Sequence, residues 1–142
     1  MTGPGPVRLV RAPSLAPAPY AAASVVGPGH LVLTAGACPL DADGVVVHPG
    51  DVAAQAQQVM DNLVVALAAA GCTLADVART TVYVASSDRA DLVAAWGVVR
   101  GAFGDHDPPS TLLGVAVLGY PGQLVEVDAV AVVESRRPTL RA

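Results

Sequence analysis

A chain of 142 residues is the size of one domain, and a composition that is 53% hydrophobic but 4% aromatic calls for a single core built from Val, Leu and Ala rather than from rings. The formal charge of −4, with a pI near 5.1, repels phosphate backbones, and the eight basic residues, all Arg, are scattered or lie near the termini, which argues against nucleic acid as a partner. No apolar run reaches the ~20 residues that span a bilayer, and the Pro-rich stretch Met1 to Pro19 lacks the long apolar segment of a signal peptide or anchor, so a cytoplasmic protein with no membrane partner is expected.

Met1 to Pro19 holds a disproportionate share of the twelve prolines and reads as an extended arm, with a short edge strand over Val7 to Val10. The domain proper is expected over residues 20–135. Ala21 to Val26 suits a strand, Gly27-Pro28-Gly29 a turn and His30 to Thr34 a second strand, which together predict a hairpin. A turn at Asp41 to Gly44 leads to the short β-branched run Val45 to Val47. From Asp51 the period changes. Ala56, Met60, Leu63 and Leu67 recur at helical spacing, with Asp51 as N-cap and Gly71 as the left-handed residue past the C-terminus. Ala78 to Ala85 predicts a strand, and Ser87 or Asp88 caps a second helix whose buried face reads Leu92, Trp96, Val99 and Phe103. Gly104 to Pro109 reads as a loop. Thr111 to Leu118 and Leu124 to Val133 predict two buried strands joined by Gly119 to Gly122, and the tail 136–142 is expected to fray. This order makes an α+β fold with both helices on one face of the sheet.

Few residues carry chemistry on pattern alone. His30, His48 and His106 show no metal-ligand spacing, and Cys38 and Cys72 are too few for a disulfide framework or a zinc site. Asp105-His106-Asp107 and Asp41-Ala42-Asp43-Gly44 read as solvated turns rather than cation loops, so no metal is expected, and no GxGxxG or P-loop pattern points to a nucleotide cofactor. Ser110, Thr111 and the cysteines have no base tied to them by a local motif. Glu126 is more informative. Strand alternation puts it on the same face as Asp128 within an apolar strand, and partial desolvation would push its pKa towards proton transfer at neutral pH; an ion pair with a neighbouring Arg remains the open alternative.

The string Pro19-Tyr20, the Thr34-Ala35-Gly36 turn, the helix Asp51 to Gly71 with Gln57 and Asn62-Leu63, Leu74-Ala75-Asp76-Val77, Thr81-Val82-Tyr83-Val84, Phe103 before Pro108-Pro109, and Val125-Glu126-Val127-Asp128-Ala129 together resemble the RidA/YjgF family. The register holds from about Tyr20 to Val133. The resemblance implies a chorismate-mutase-like α+β fold and a homotrimer whose sheets form an inner barrel, with three small-molecule sites at the subunit clefts. It also implies cofactor-free hydrolysis of imines and enamines such as 2-iminobutanoate to a carbonyl compound and ammonia. In that family a glutamate on the last strand positions the attacking water, a tyrosine near the N-terminus lines the pocket and a Pro-x-Arg arginine clamps the substrate carboxylate. Glu126 and Tyr20 match the first two.

The arginine is missing: Pro108-Pro109-Ser110 places Ser110 at its position, and Leu112 stands where a cysteine is common. Ala37 replaces a frequent glutamine, and Trp96 a frequent asparagine, with a core role and a cleft role both open for its ring. Losing a charge-assisted contact would weaken 2-imino-acid binding by about two orders of magnitude. The expectation is an enzyme acting on an imine, enamine or related intermediate without a free carboxylate, by hydrolysis or by dehydration, cyclisation or tautomerisation in a specialised biosynthetic pathway. Glu126 would be its general acid/base. Tyr20, Trp96 and Leu112 would line the substrate site, Ser110 with Thr111 would offer neutral hydrogen bonds in place of the arginine, and the Gly36, Ala37 and Cys38 backbone would hold the water or the leaving nitrogen. The alternative is a non-catalytic trimer that binds a small ligand or a partner. A ribonuclease, an old label on some relatives, is opposed by the acidic charge and the lack of a His-rich site.

Overall fold

The computed structural model describes residues 5–135. Its elements are β1 (Val7–Val10), β2 (Ala23–Val26), β3 (His30–Leu33), α1 (Val52–Ala69), β4 (Val77–Val84), α2 (Arg89–Phe103), β5 (Ser110–Gly114) and β6 (Val125–Val133), with a 3-10 turn at Leu74–Asp76. The expectation for the tail 136–142 lies outside the described residues. Among those residues no helix is long and apolar enough to cross a membrane.

Alternation along β6 organises the domain. Val125, Val127, Ala129 and Ala131 are buried under the helices, while Glu126 and Asp128 between them are half-buried on the opposite face. The main sheet runs β3-β6-β4-β5, parallel only between β4 and β5. Both helices pack on one side, α1 against β6 and α2 against β4 and β5. The other side has no helix on it, and there Leu31, Leu33 and Leu113 stay 62%, 69% and 42% exposed.

The predicted hairpin of β2 with β3 does not form. β2 pairs with β1, Val7 opposite Val26, and β3 pairs with β6, His30 opposite Val133. The three-residue Gly27-Pro28-Gly29 link is not a two-residue primed turn, and Gly29 presses its backbone against the Val133 carbonyl, where a Cβ would not fit. That contact leads β3 onto the end of β6 instead of back along β2. The Val45 to Val47 run makes only a bridge, Leu40 opposite Val46, because the Asp41 carboxylate accepts the Asp43 and Val45 amides and closes a local turn. β5 is shorter than predicted. β4 ends at Val84, which also accepts the Val115 amide, so residues 115–118 have no ladder to join.

Both helices start as their caps predict. The Asp51 carboxylate accepts the Ala54 amide and Asp88, rather than Ser87, accepts the Ala90 amide, while Gly71 takes φ +82° past the end of α1. On α2 the buried positions are Ala95, Val99 and Phe103, with Leu92 and Trp96 only half-buried. Val99 and Phe103 are thus buried as expected, Ala95 joins them, and Leu92 and Trp96 pack at the border of the core.

Three polar side chains are buried among the described residues, Gln55, Thr80 and Gln123. Gln55, fully buried on α1, donates through Nε2 to the Gly122 carbonyl at 3.0 Å and the His48 carbonyl at 3.3 Å, and its Oε1 accepts the Leu124 amide at 2.8 Å. It thereby ties α1 to the loop that delivers β6. Replacing it by Leu strands three backbone groups, so Gln55→Leu should lose about 2–3 kcal/mol of stability, read as a lower urea midpoint at unchanged slope. Gln57→Leu, on the exposed face of the same helix, should shift the midpoint by less than about 0.5 kcal/mol; equal midpoints for the two variants would contradict this role.

Candidate active site

Glu126 emerges from β6 opposite Tyr83 on β4, on the sheet face away from the helices. Its carboxylate is held from one side. The Cys38 thiol and the Gln123 side-chain amide both donate to Oε1, each at 3.2 Å, and the carboxylate lies flat against Gly36, where an added Cβ would fall 2.8 Å from Cγ. A glycine is required at position 36 for that close approach. The ion pair left open by the sequence is not formed: among the described residues the sole ion pair joins Arg11 to Asp107.

Cys38 reaches Glu126 because residues 36–40 are fastened on both sides. Ala37 exchanges backbone hydrogen bonds with Val127, at 2.8 and 3.2 Å. From α1, Asn62 donates to the Cys38 and Leu40 carbonyls at 2.8 and 2.9 Å, and Gln58 adds a bond to Leu40. The Ala37 N–H, expected to face a water or a leaving nitrogen, is therefore already bonded to β6. Burial pushes the Cys38 thiol up to about 11, helped by the hydrogen bond to Glu126 and its charge. At neutral pH the thiol is a proton-bearing donor to the carboxylate and not a nucleophile. One register step along, Tyr83 donates to Asp128 at 3.2 Å; burial first, then the Asp128 carboxylate, raises its phenol.

The remaining candidates gather elsewhere. Tyr20, Trp96, Ser110, Thr111 and Leu112 line an open cleft of about 420 Å³ along β5, which is the free edge of the sheet. The Tyr20 and Trp96 rings meet edge to face with centroids 6.0 Å apart. Trp96 packs against the core and also lines the cleft. Ser110 accepts a 2.7 Å hydrogen bond from Thr80, and Thr111 accepts one from Arg79 at 3.2 Å. β4 separates β5 from β6, so within one chain the strands that carry the two clusters lie about 10 Å apart.

Two of the residues weighed for metal binding, His106 and Asp107, have other partners. His106 bonds the Val77 carbonyl at 2.7 Å and Asp107 pairs with Arg11; among the described residues no three His, Cys, Asp or Glu side chains cluster to hold an ion. Sequence reasoning did not single out Gln123, Gln55 or Arg79. Gln55 had a signal, a polar residue inside the apolar stripe of α1, and Gln123 lies only three residues before Glu126, whereas Arg79 acts between strands far apart in the chain and had none.

The family model described as Endoribonuclease L-PSP matches residues 11–133. The chain belongs to the RidA/YjgF family. It is 37% identical over 115 residues to protein DfrA of Myxococcus xanthus, covering 80% of this chain and 85% of that protein. It is 33% identical over 107 residues to the 2-iminobutanoate/2-iminopropanoate deaminase of Escherichia coli, covering 73% and 80%. The 3-aminoacrylate deaminase RutC of Acinetobacter baylyi is 33% identical over 114 residues, covering 80% and 86%. A Rid-family protein of Yersinia pestis superposes with a TM-score of 0.84 at 32% identity, covering 90% of this chain and 99% of that one. The shared fold carries the expected two helices on a mixed sheet.

The Cys38–Glu126 contact is directly measurable. Iodoacetamide alkylation of Cys38 should accelerate with pH through a midpoint near 11, while Cys72, 3% exposed, stays unreacted. Glu126→Gln removes the carboxylate's share and should lower the midpoint, although burial, the larger cause, keeps it above an ordinary thiol. A midpoint unchanged by that substitution would show that the two side chains do not meet.

Proposed function

We propose that this RidA/YjgF member is a cofactor-independent enzyme that hydrolyses an imine or enamine whose electrophilic carbon bears no carboxylate, with Glu126 as general acid/base. The observation that carries this reading is the one-sided clamp on Glu126: two donors hold Oε1, while Oε2 lies over the side-chain-free surface of Gly36. A carboxylate fixed in this way has one oxygen left to take a proton from water. Water adds to the imine carbon, the proton moves through Glu126 to the nitrogen, and the C–N bond breaks to give a carbonyl compound and ammonia. The deaminase relatives from Escherichia coli and Acinetobacter baylyi support the reaction class.

The two clusters lie on separate parts of the chain, and a homotrimer would join them. In this reading the Glu126 face of one copy meets the Tyr20–Trp96–Ser110 cleft of the next, with a small molecule between and the uncovered leucines Leu31, Leu33 and Leu113 inside the assembly. Such an enzyme would work in the cytoplasm, within a specialised biosynthetic pathway. Ser110 sets the substrate preference, because neither it nor Thr111 offers a cation at the place of the family arginine. That same loss favours a second reading, a ligand-binding trimer without turnover.

Imines generated in situ, with and without a carboxylate on the imine carbon, distinguish these readings. kcat/KM on 2-iminobutanoate should be about two orders of magnitude below that on the carboxylate-free imine, and Ser110→Arg should narrow the gap. Efficient 2-iminobutanoate turnover by the unaltered protein would overturn the assignment of Ser110. Glu126→Gln should lower kcat by about 10²–10⁴ with ligand affinity retained; unchanged turnover would remove Glu126 from the chemistry and leave the binding reading.

A further inference from the structure

The segment between β1 and β2 is a built wall rather than a loose arm. Its base is closed by the Ala22 amide on the Val10 carbonyl at 2.9 Å, and its end is tied to the loop before β5 by the Ala21 amide on the Asp107 carbonyl at 2.9 Å and by the Arg11–Asp107 ion pair. Pro13, Pro17 and Pro19 stiffen the chain between these ties, so little entropy is lost when something binds against it. Behind this wall lies an open cleft of about 520 Å³, lined by Leu15, Pro17, Tyr20 and Arg100 among others. Tyr20 faces both this cleft and the one along β5, and Arg100 shares a small void with Trp96 and Ser110. The two clefts are thus neighbours around one ring.

The charges in the arm cleft are unequal. Arg11 is neutralised by Asp107, whereas Arg100 has no acidic partner among the described residues and uses Nε on the Pro19 carbonyl at 3.3 Å. A guanidinium has five N–H donors, so Arg100 keeps most of its capacity for an anion. It stands one helical turn from Trp96, ~6 Å along α2.

We propose that the arm cleft is an anion-binding subsite, with Arg100 as its anchor, for ligands that carry a carboxylate on a short apolar chain and place their other end against Trp96 and Ser110. This deepens the reading of the β5 cleft as a substrate site: a carboxylate is excluded beside the reacting carbon but received about one helical turn away. Leu15 and Pro17 contact the apolar chain, Tyr20 stands between the two ends, and Arg100 discriminates an acid from its neutral analogue.

Trp96 is the single tryptophan of the chain and reports on binding without any turnover assay. Its fluorescence is titrated with 4-phenylbutyrate and with 4-phenylbutanamide. The unaltered protein should bind the acid on the order of tenfold more tightly than the amide. Arg100→Met should abolish that preference while leaving amide affinity unchanged, Arg100→Lys should restore part of it, and Arg79→Gln, which removes the cation bonded to Thr111, should keep it. Equal binding of acid and amide, loss of the preference in Arg79→Gln instead, or no binding of either probe at millimolar concentration would each overturn the proposal. An intact preference in a protein that turns over no imine would sink the enzymatic reading alone.

Discussion

The amide of Gln55 is the constraint on which the rest of this fold depends. A neutral side chain with both donor and acceptor groups, sealed in an apolar core, has to find partners or cost several kcal/mol, and here every partner is backbone just before β6 or before α1. It sets where β6 begins. Because side chains alternate along a strand, a one-residue slip there would turn Glu126 into the core and Val125 out of it. The placement of the candidate catalytic carboxylate is therefore a consequence of a helix residue that never touches it.

The same logic extends along α1. Gln58 and Asn62, on successive turns from Gln55, hold the carbonyls of Cys38 and Leu40, so one polar edge of one helix fixes both segments that meet at Glu126. The thiol and the Gln123 amide then act on a carboxylate whose backbone cannot drift. Preorganisation of this kind keeps the carboxylate in one geometry, so that little has to be rearranged around it as charge moves. Gly36 completes the arrangement by leaving room for the carboxylate.

Much was legible in local pattern. Helical spacing located α1, the Asp51 cap and Gly71 marked its ends, and alternation put Glu126 and Asp128 on one face, because each of these depends on residues within a few positions of one another. The α2 stripe was legible at Val99 and Phe103, whereas the division of burial between Ala95 and Trp96 depends on what packs against the helix. The family was legible in ordered motifs spread from Tyr20 to Val133.

Sequence by itself thus determined the main helices and strands, the caps, the family and the fold class, and it put Glu126 and Asp128 on one face of β6. Tertiary structure alone decided that β2 turns to β1 and β3 to β6, that Cys38 and Gln123 share one oxygen of Glu126, and that a proline-stiffened segment brings Tyr20 beside Arg100. The physical reason is range. A period or a cap is written into neighbouring residues, whereas strand partners and the hydrogen bond between residues 38 and 126 are chosen by competition among segments far apart in the chain, which local patterning does not encode.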